Sequence, residues 1–208
     1  MSLLFFQIER FAGFRVLRLQ SADGTNRLTR ACMLAMTSAI RELTQVAEPL
    51  IITGNHKCFS AGADLNEIAA LTGPAACAFS QMGQELMNLI EGFPAPVVAA
   101  ISGYCMGGGL DLALACHRRI ASHHAVFGHR GAALGLITGW GGTQRLPRLI
   151  GKGKAMEIFL TAEKIRAAEA LRIGLADSIA GDPLEETAQR LSGGQRERIS
   201  HWFPVATP

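Results

Sequence analysis

The sequence has few aromatic residues and few charged ones. Aromatic side chains make up 6% of its 208 residues, with a single Tyr, and charged side chains make up 18%. The formal net charge is only +3, and Lys and Arg occur in no run longer than two. Nucleic-acid-binding domains carry clustered positive charge, so this weak and scattered charge argues against a nucleic acid partner.

Long hydrophobic runs are also missing. A membrane-spanning helix needs about 18 or more consecutive apolar residues, and the longest apolar segment, 94–116, is interrupted by glycines. The apolar N-terminus, residues 1–11, lacks the basic segment and the small-residue cleavage site of a secretory signal peptide. We therefore expect no membrane partner and a cytoplasmic location.

Cysteine is sparse and irregularly spaced. The chain has five cysteines, an odd number, and no CxxC pair occurs among them. This pattern predicts neither a disulfide framework nor a zinc site, and the adjacent His123 and His124 lack the spacing of metal ligands. We expect buried free thiols and no bound metal ion.

Apolar residues, in contrast, make up 49% of the chain, enough for one globular domain with a substantial core. Apolar periodicity predicts a hairpin at 4–9 and 13–19 and long helices at 29–45 and 74–93. Further strands are predicted at 49–54, 97–101, 118–122 and 175–179, shorter helices at 143–150, 154–160, 161–171 and 183–191, and a loop at 55–65. This alternation of strands and helices indicates an α/β fold.

The most informative segment is 103–116, where three consecutive glycines follow an apolar strand and precede a run of helix formers. It predicts a strand, a glycine turn and the start of a helix. Glycine lets a ligand approach the backbone closely, and the first N–H groups of a helix suit negative charge. Asp111 lies one turn into this helix. The segment therefore predicts backbone donors for a negative charge beside one carboxylate.

Three motifs together resemble those of the crotonase family, the enoyl-CoA hydratase/isomerase superfamily. They are FSAGADL at 59–65, GYCMGGGLDLA at 103–113 and GWGGTQRL at 139–146, and the later segment 160–176 is also similar to the family's. The resemblance implies an α/β fold built as a crotonase-like spiral of repeated ββα units. It also implies a core domain over 1–190 and a short tail at 191–208, with the family's trimerisation helices largely absent.

The resemblance further implies an acyl-CoA thioester as the substrate, with coenzyme A part of that substrate and no separate cofactor. By motif position, the two backbone N–H groups of an oxyanion hole would belong to Ala63 and Gly108. Such donors stabilise the negative charge that builds on the thioester oxygen. The coenzyme A-binding residues would be Lys57, Ala61, Asp64, Leu65 and Asn66, with Lys57 contacting a phosphate. A homo-oligomer, trimer or hexamer, is expected.

The sequence departs from the family at its paired glutamates. In the hydratases one glutamate activates water and the other donates a proton. The first falls at Asp111 here and the second at Gly131, which cannot transfer a proton. Asp111 could act alone or with His129, because an imidazole titrates near neutrality. We predict an enzyme resembling enoyl-CoA hydratase/isomerase, and the alternatives are isomerisation, decarboxylation, thioester hydrolysis, or acyl-CoA binding without turnover.

Overall fold

The computed structural model describes residues 5–193, whose strands form three sheets. The strands are β1 Phe6–Phe11, β2 Phe14–Leu19, β3 Arg27–Leu28, β4 Leu50–Thr53, β5 Cys58–Ser60, β6 Gly62–Ala63, β7 Val97–Ile101, β8 Tyr104–Met106, β9 Arg118–Ser122, β10 Val126–Gly128, β11 Ile165–Arg166 and β12 Ser178–Ala180. The largest sheet has the order β1-β2-β4-β7-β9-β12 and is parallel except for the β1–β2 hairpin. The second sheet has the order β11-β10-β8-β5, and β3 pairs with β6.

Helices cover the faces of these sheets. They are α1 Arg30–Thr44, α2 Leu65–Ala69, α3 Gly73–Glu91, α4 Gly108–Ala115, α5 Gly142–Ile150, α6 Lys152–Thr161, α7 Ala167–Arg172 and α8 Pro183–Ser192, with one 3-10 turn at Ala132–Leu134. Over residues 5–193, no helix combines the length and the apolar character that crossing a membrane requires.

Successive turns of the chain repeat one pattern. Strand β4 joins the largest sheet and β5 joins the second, then β7 and β8 do the same before α4, and β9 and β10 do so before α5. Each turn therefore places one strand in each sheet and then a helix. This is the α/β spiral of ββα units that the motifs imply, and it sets α4 and the segment after β10 side by side.

The core lies between the sheets and α1, α3 and α4. Phe59, Phe127 and Leu86 are fully buried there, and small alanines fill the tighter places along β7 and α4. Four of the five cysteines are buried, Cys77 is exposed, and all five are free thiols. Burying apolar surface of this extent is the main favourable term in folding.

The longer predicted elements are confirmed. The hairpin forms from β1 and β2 with Phe11 opposite Phe14. Helix α1 begins after Thr29, whose hydroxyl accepts a hydrogen bond from the Cys32 N–H at 3.1 Å, as expected of an N-cap. Clear apolar periodicity and a capping residue were enough to locate these elements.

The loop predicted at 55–65 instead contains the short strands β5 and β6, which pair in parallel with β8 and β3. Strand β8 also interrupts the predicted direct passage from strand 97–101 to the glycine turn. Strands of two or three residues are too short to show a periodicity in the sequence. Their positions are determined by pairing with segments that are distant in the chain.

Two predictions near the C-terminus are wrong in their bounds. The helix predicted at 161–171 begins only at Ala167, because Ala162 adopts a left-handed conformation that ends α6 and β11 then pairs with β10. The strand predicted at 175–179 lies at β12, since Ala176 N–H donates to the Ala170 carbonyl and closes a turn there. Most of the predicted tail, 194–208, lies outside the described residues.

Candidate active site

A cavity of about 440 Å³ lies where β6, the start of α4 and the segment 129–140 meet. Apolar groups such as Leu71 and Phe79 form much of its wall. Among its few polar groups are Asp111, His129 and Thr138. An apolar pocket with a few convergent polar groups is the usual form of a small-molecule site.

Ala63 is held at this cavity by contacts to the segment before it. Asn26 Nδ2 donates to the Cys58 carbonyl oxygen at 2.9 Å, and Ser60 Oγ donates to the Asn26 carbonyl at 2.8 Å. The Ser60 hydroxyl also accepts the Gly62 N–H at 3.1 Å. Gly62 has a φ of +90°, a conformation that favours glycine. The backbone direction at Ala63 is therefore fixed by the segment that precedes it.

Gly107 turns the chain from β8 into α4. Its φ is +51°, and its N–H donates to the Gly128 carbonyl oxygen at 2.9 Å, which ties the turn to β10. Helix α4 begins at Gly108, and the N–H of a first helical residue has no acceptor within its own helix. The Asp111 N–H donates back to the Gly107 carbonyl at 3.0 Å, so Asp111 lies one turn further along.

The backbones of Ala63 and Gly108 converge at the cavity wall. A Cβ atom placed on Gly62 would lie 2.8 Å from the Gly108 nitrogen, and one placed on Gly108 would lie 3.3 Å from the Ala63 nitrogen. Both Ala63 and Gly108 line the cavity. Backbone N–H groups at one cavity wall are the kind of donor that binds an oxygen atom as it gains negative charge.

Trp140 fills the space that two glycines leave open. A Cβ on Gly83 of α3 would lie 2.0 Å from the indole Cδ1, and one on Gly108 would lie 2.3 Å from Cζ3. The indole Nε1 donates to the Phe79 carbonyl at 3.3 Å, and the ring is almost fully buried. Trp140 both packs α3 against α4 and walls the cavity.

Asp111 is buried at the cavity, and its two oxygens have different surroundings. The Thr138 hydroxyl donates a hydrogen bond to Oδ2, whereas Oδ1 has no hydrogen-bond partner within residues 5–193. Burial raises the pKa of Asp111 to about 7, against the opposing effects of the Thr138 hydrogen bond, the Arg145 charge and the nearby Gly142 backbone N–H. A carboxyl with this pKa can both accept and donate a proton near neutrality.

His129 lies directly after β10 and faces Asp111. Its Nε2 is 3.4 Å from Asp111 Oδ1, and its ring centroid is 5.3 Å from that of Phe159. The side chain is almost fully buried, and burial lowers the pKa of His129 to about 4. The imidazole is therefore neutral at physiological pH, with Nε2 turned toward the carboxyl.

Gly131 lines the same cavity but has no room for a side chain. A Cβ atom there would lie 2.6 Å from the Leu136 carbonyl oxygen, because the Leu136 N–H donates to the Gly131 carbonyl and closes the loop over it. The absence of a side chain at position 131 is thus built into the local backbone. A carboxylate could stand at this position only if residues 131–136 moved.

The predicted coenzyme A-binding residues fall into two groups. Ala61 and Leu65 line the cavity beside Ala63. Lys57, Asp64 and Asn66 lie outside its lining, with Lys57 and Asn66 exposed. The Asp64 carboxylate accepts the N–H groups at the start of α2, including that of Asn66 at 2.9 Å, so it has a capping role in the fold.

Two residues that shape the site were missed by the sequence reasoning. Thr138 supplies the hydroxyl that binds Asp111, and Arg145 supplies the charge that opposes the rise in its pKa. Arg145 is itself held by Glu91 at 2.6 Å and by the Asn88 side chain at 2.8 Å. No sequence spacing links these residues to Asp111, since the contacts arise only when α5 and the segment before it pack against α4.

Comparison with known proteins finds one family over most of the chain. Residues 9–202 match the family described as enoyl-CoA hydratase/isomerase. A crotonyl-CoA hydratase from Syntrophomonas wolfei is 39% identical over 175 residues, which cover 83% of this chain and 67% of that protein. A "Probable enoyl-CoA hydratase" from Bacillus subtilis is 45% identical over 152 residues, which cover 72% of this chain and 59% of that protein.

The fold is similar to that of solved structures as well. The crystal structure of an enoyl-CoA hydratase from Bacillus anthracis has a TM-score of 0.84 and 34% identity, over 95% of this chain and 77% of that one. The match therefore extends beyond the motifs to nearly the whole described chain. The chain nevertheless spans only about three fifths to two thirds of the length of the two curated relatives.

Proposed function

Because the chain belongs to the enoyl-CoA hydratase/isomerase family, we propose that it acts on acyl-CoA thioesters through an enolate bound by the Ala63 and Gly108 N–H groups. The observation that carries the proposal is the convergence of these two backbones at a cavity that also holds Asp111. Removing one donor from an oxyanion hole costs about 10²–10³-fold in rate. Backbone N–H groups suit this role because they stay fixed as charge develops.

Asp111 is the proton-transfer group of this proposal. It lies one helical turn beyond Gly108 and lines the cavity, so it is near whatever the two N–H groups hold. Its raised pKa suits removal of a proton from the carbon next to the thioester carbonyl and return of a proton to the enolate.

The glycine at 131 bears on which reaction follows the enolate. Isomerisation of a double bond moves one proton between two carbons, which a single carboxyl can do, whereas hydration also needs activation of water. The missing side chain at Gly131 thus favours isomerisation over hydration by paired carboxylates. Decarboxylation and thioester hydrolysis also use an oxyanion hole, and they belong in the substrate panel.

We further propose that coenzyme A lies along the exposed edge formed by Lys57, Ala61, Leu65 and Asn66. Ala61 and Leu65 connect this edge to the cavity, and Lys57 offers the positive charge for a phosphate. Asp64 supports the edge by capping α2. No cofactor besides the substrate's own coenzyme A is required by this chemistry.

We also propose that the protein forms a homo-oligomer, a trimer or hexamer. Support comes from apolar side chains left exposed on the 132–137 segment and α6, where Ile137 is 73% and Leu160 is 70% accessible. Exposed apolar residues in such proximity are typical of protein interfaces. Sedimentation equilibrium should give the mass of three or six chains, and the mass of one or two chains would contradict the proposal.

The function is tested with purified protein and a panel of thioesters. The panel contains crotonyl-CoA, a 3-enoyl-CoA, a malonyl-type ester and a saturated acyl-CoA, and Asp111→Ala is the paired variant. Turnover of at least one ester that Asp111→Ala abolishes supports the enzyme. Tight binding of the esters with no turnover would indicate an acyl-CoA-binding protein, and absence of both would contradict the proposal.

A further inference from the structure

We propose that Asp111 and His129 act as one proton-transfer pair, in which a proton moves between Asp111 Oδ1 and His129 Nε2. The inference rests on the proposed function, because Asp111 must exchange protons with a bound thioester. It provides a second proton-transfer group in a chain that has Gly131 where the family's second glutamate falls. His129 itself lines the cavity, so it can reach bound substrate as well as Asp111.

The geometry carries the proposal. Asp111 Oδ1 and His129 Nε2 are both buried, lie 3.4 Å apart, and have no hydrogen-bond partner among residues 5–193. A buried polar atom left unpaired is destabilising, because it loses its hydration and gains no partner in return. Two such atoms that face each other are explained if one proton can bridge them. Their separation exceeds an ordinary hydrogen bond, but catalytic hydrogen bonds often shorten when substrate binds.

Neighbouring groups orient the pair. The Thr138 hydroxyl donates a hydrogen bond to Asp111 Oδ2, and the other oxygen, Oδ1, faces the imidazole. The Phe159 ring of α6 packs against the His129 ring and holds it in place. Two cations are close: Arg145 of α5 acts on Asp111 by its charge, and Arg130 follows His129 at the exposed side of the cavity.

The same burial acts in opposite directions on the two groups. It favours a neutral carboxylic acid at Asp111 and a neutral imidazole at His129, so the pair can hold one mobile proton without a net charge in the apolar wall. A second carboxyl here would repel Asp111 whenever both groups were ionised. The imidazole is neutral when it carries no extra proton, so it avoids this repulsion and takes up the proton only transiently.

In hydration and in isomerisation alike, the pair returns to the substrate the proton that it takes up. In hydration, the Asp111 carboxylate takes a proton from water while the water oxygen bonds to C3, and the C2–C3 π electrons become the thioester enolate. The proton passes from Oδ1 to Nε2, and the pair then returns it to C2 as the enolate collapses. In isomerisation the pair takes the proton from C2 and returns it to C4. Both sequences restore the starting pair.

Kinetics of His129→Gln test the proposal on an ester that wild type turns over. Glutamine keeps hydrogen-bonding capacity but cannot carry the proton. We expect kcat to fall by about 10²-fold or more, the usual size of an acid–base contribution, with KM within a few-fold of wild type. His124→Gln, at an exposed histidine in the β9–β10 turn, is the matched control and should leave both constants unchanged. A kcat for His129→Gln within threefold of wild type would overturn the proposal.

A second measurement is independent of activity. In ¹⁵N NMR of labelled histidine, the His129 Nε2 shift should move as Asp111 titrates in wild type and should lose that response in Asp111→Asn. The same response in both proteins would overturn the proposal that the two residues share a proton. Lack of turnover in wild type with a normal NMR response would instead refute the proposed function while supporting the proton-sharing contact.

Discussion

Burial reverses the usual proton affinities of Asp111 and His129. In an unfolded chain the imidazole, with a pKa of 6.5, holds a proton that the carboxyl, with a pKa of 3.8, has lost. In the folded chain burial raises the pKa of Asp111 to about 7 and lowers that of His129 to about 4. Between about pH 4 and 6.5 both the folded and the unfolded state hold one proton on the pair, so in that range the pair adds no pH dependence to the free energy of unfolding.

Single substitutions should expose the two halves of this balance. In Asp111→Asn, the contribution of His129 to the free energy of unfolding is complete above pH 6.5. As the pH falls toward 4, that free energy decreases by about 3 kcal/mol. In His129→Gln, the contribution of Asp111 to the free energy of unfolding is complete below pH 3.8. As the pH rises toward 7, that free energy decreases by about 4 kcal/mol. Urea unfolding should therefore show opposite pH slopes for the two variants relative to wild type. Slopes of the same sign would contradict this account.

The sequence identified Asp111 and His129 separately but could not bring them together. Asp111 followed from its place one turn beyond the glycines, and His129 from its chemistry alone. Their contact depends on β10 ending beside α4, which is a consequence of the spiral and not of any local spacing. The Thr138 hydrogen bond was missed for the same reason.

At the scale of elements, the packing of α3 against α4 depends on glycines facing Trp140. A Cβ on Gly83 would overlap the indole ring, which is buried and bonded to the Phe79 carbonyl. Gly153 of α6 has open space around its Cβ position, so it is a matched control for the helical preference of alanine. Alanine substitutions at these two positions therefore distinguish the effect of packing against Trp140 from the effect of helix propensity.

We expect Gly83→Ala to destabilise the protein by about 1–3 kcal/mol, because overpacking outweighs the gain in helix propensity. Gly153→Ala, in the first turn of α6, should leave the free energy of unfolding unchanged or raise it by up to about 0.5 kcal/mol. Chemical denaturation of both variants measures the difference. If Gly83→Ala is as stable as Gly153→Ala, Trp140 does not require the glycine.

Elements with clear periodicity were predictable, and elements fixed by distant pairing were not. Helix α1 and the first hairpin follow from apolar spacing and from the Thr29 cap. Strands β5, β6 and β8 are too short to show a period, although they place Ala63 and the glycine turn. The position of the site's backbone therefore depends on short strands that could not be predicted from the sequence.

At the scale of the whole molecule, an ion pair between a buried arginine and a partly exposed aspartate attaches β12. Arg119 of β9 is almost fully buried, and its Nη2 lies 3.0 Å from Asp177 Oδ2, just before β12. Arg119 also donates to the Leu175 carbonyl at 2.8 Å and the Cys116 carbonyl at 2.9 Å. This pair joins the segment that leads to α8 to the centre of the largest sheet.

Asp177→Ala should cost about 1–3 kcal/mol, because it removes the carboxylate partner of the buried Arg119 guanidinium while its bonds to backbone carbonyls remain. Glu169→Ala breaks the exposed pair with Arg172 and should cost less than about 1 kcal/mol. Urea unfolding gives both values, and hydrogen exchange should show faster opening of β12 in Asp177→Ala alone. Equal costs for the two variants would show that burial of Arg119 is unimportant.

The central claim is that Ala63 and Gly108 stabilise a thioester enolate that Asp111 forms. Exchange of the C2 protons of butyryl-CoA in D₂O, followed by proton NMR, measures enolate formation whatever reaction comes after it. Wild type should accelerate the exchange, and Asp111→Asn should reduce that acceleration by about 10²-fold or more. Exchange at the buffer rate with saturating wild-type protein, or equal rates for wild type and Asp111→Asn, would contradict the account.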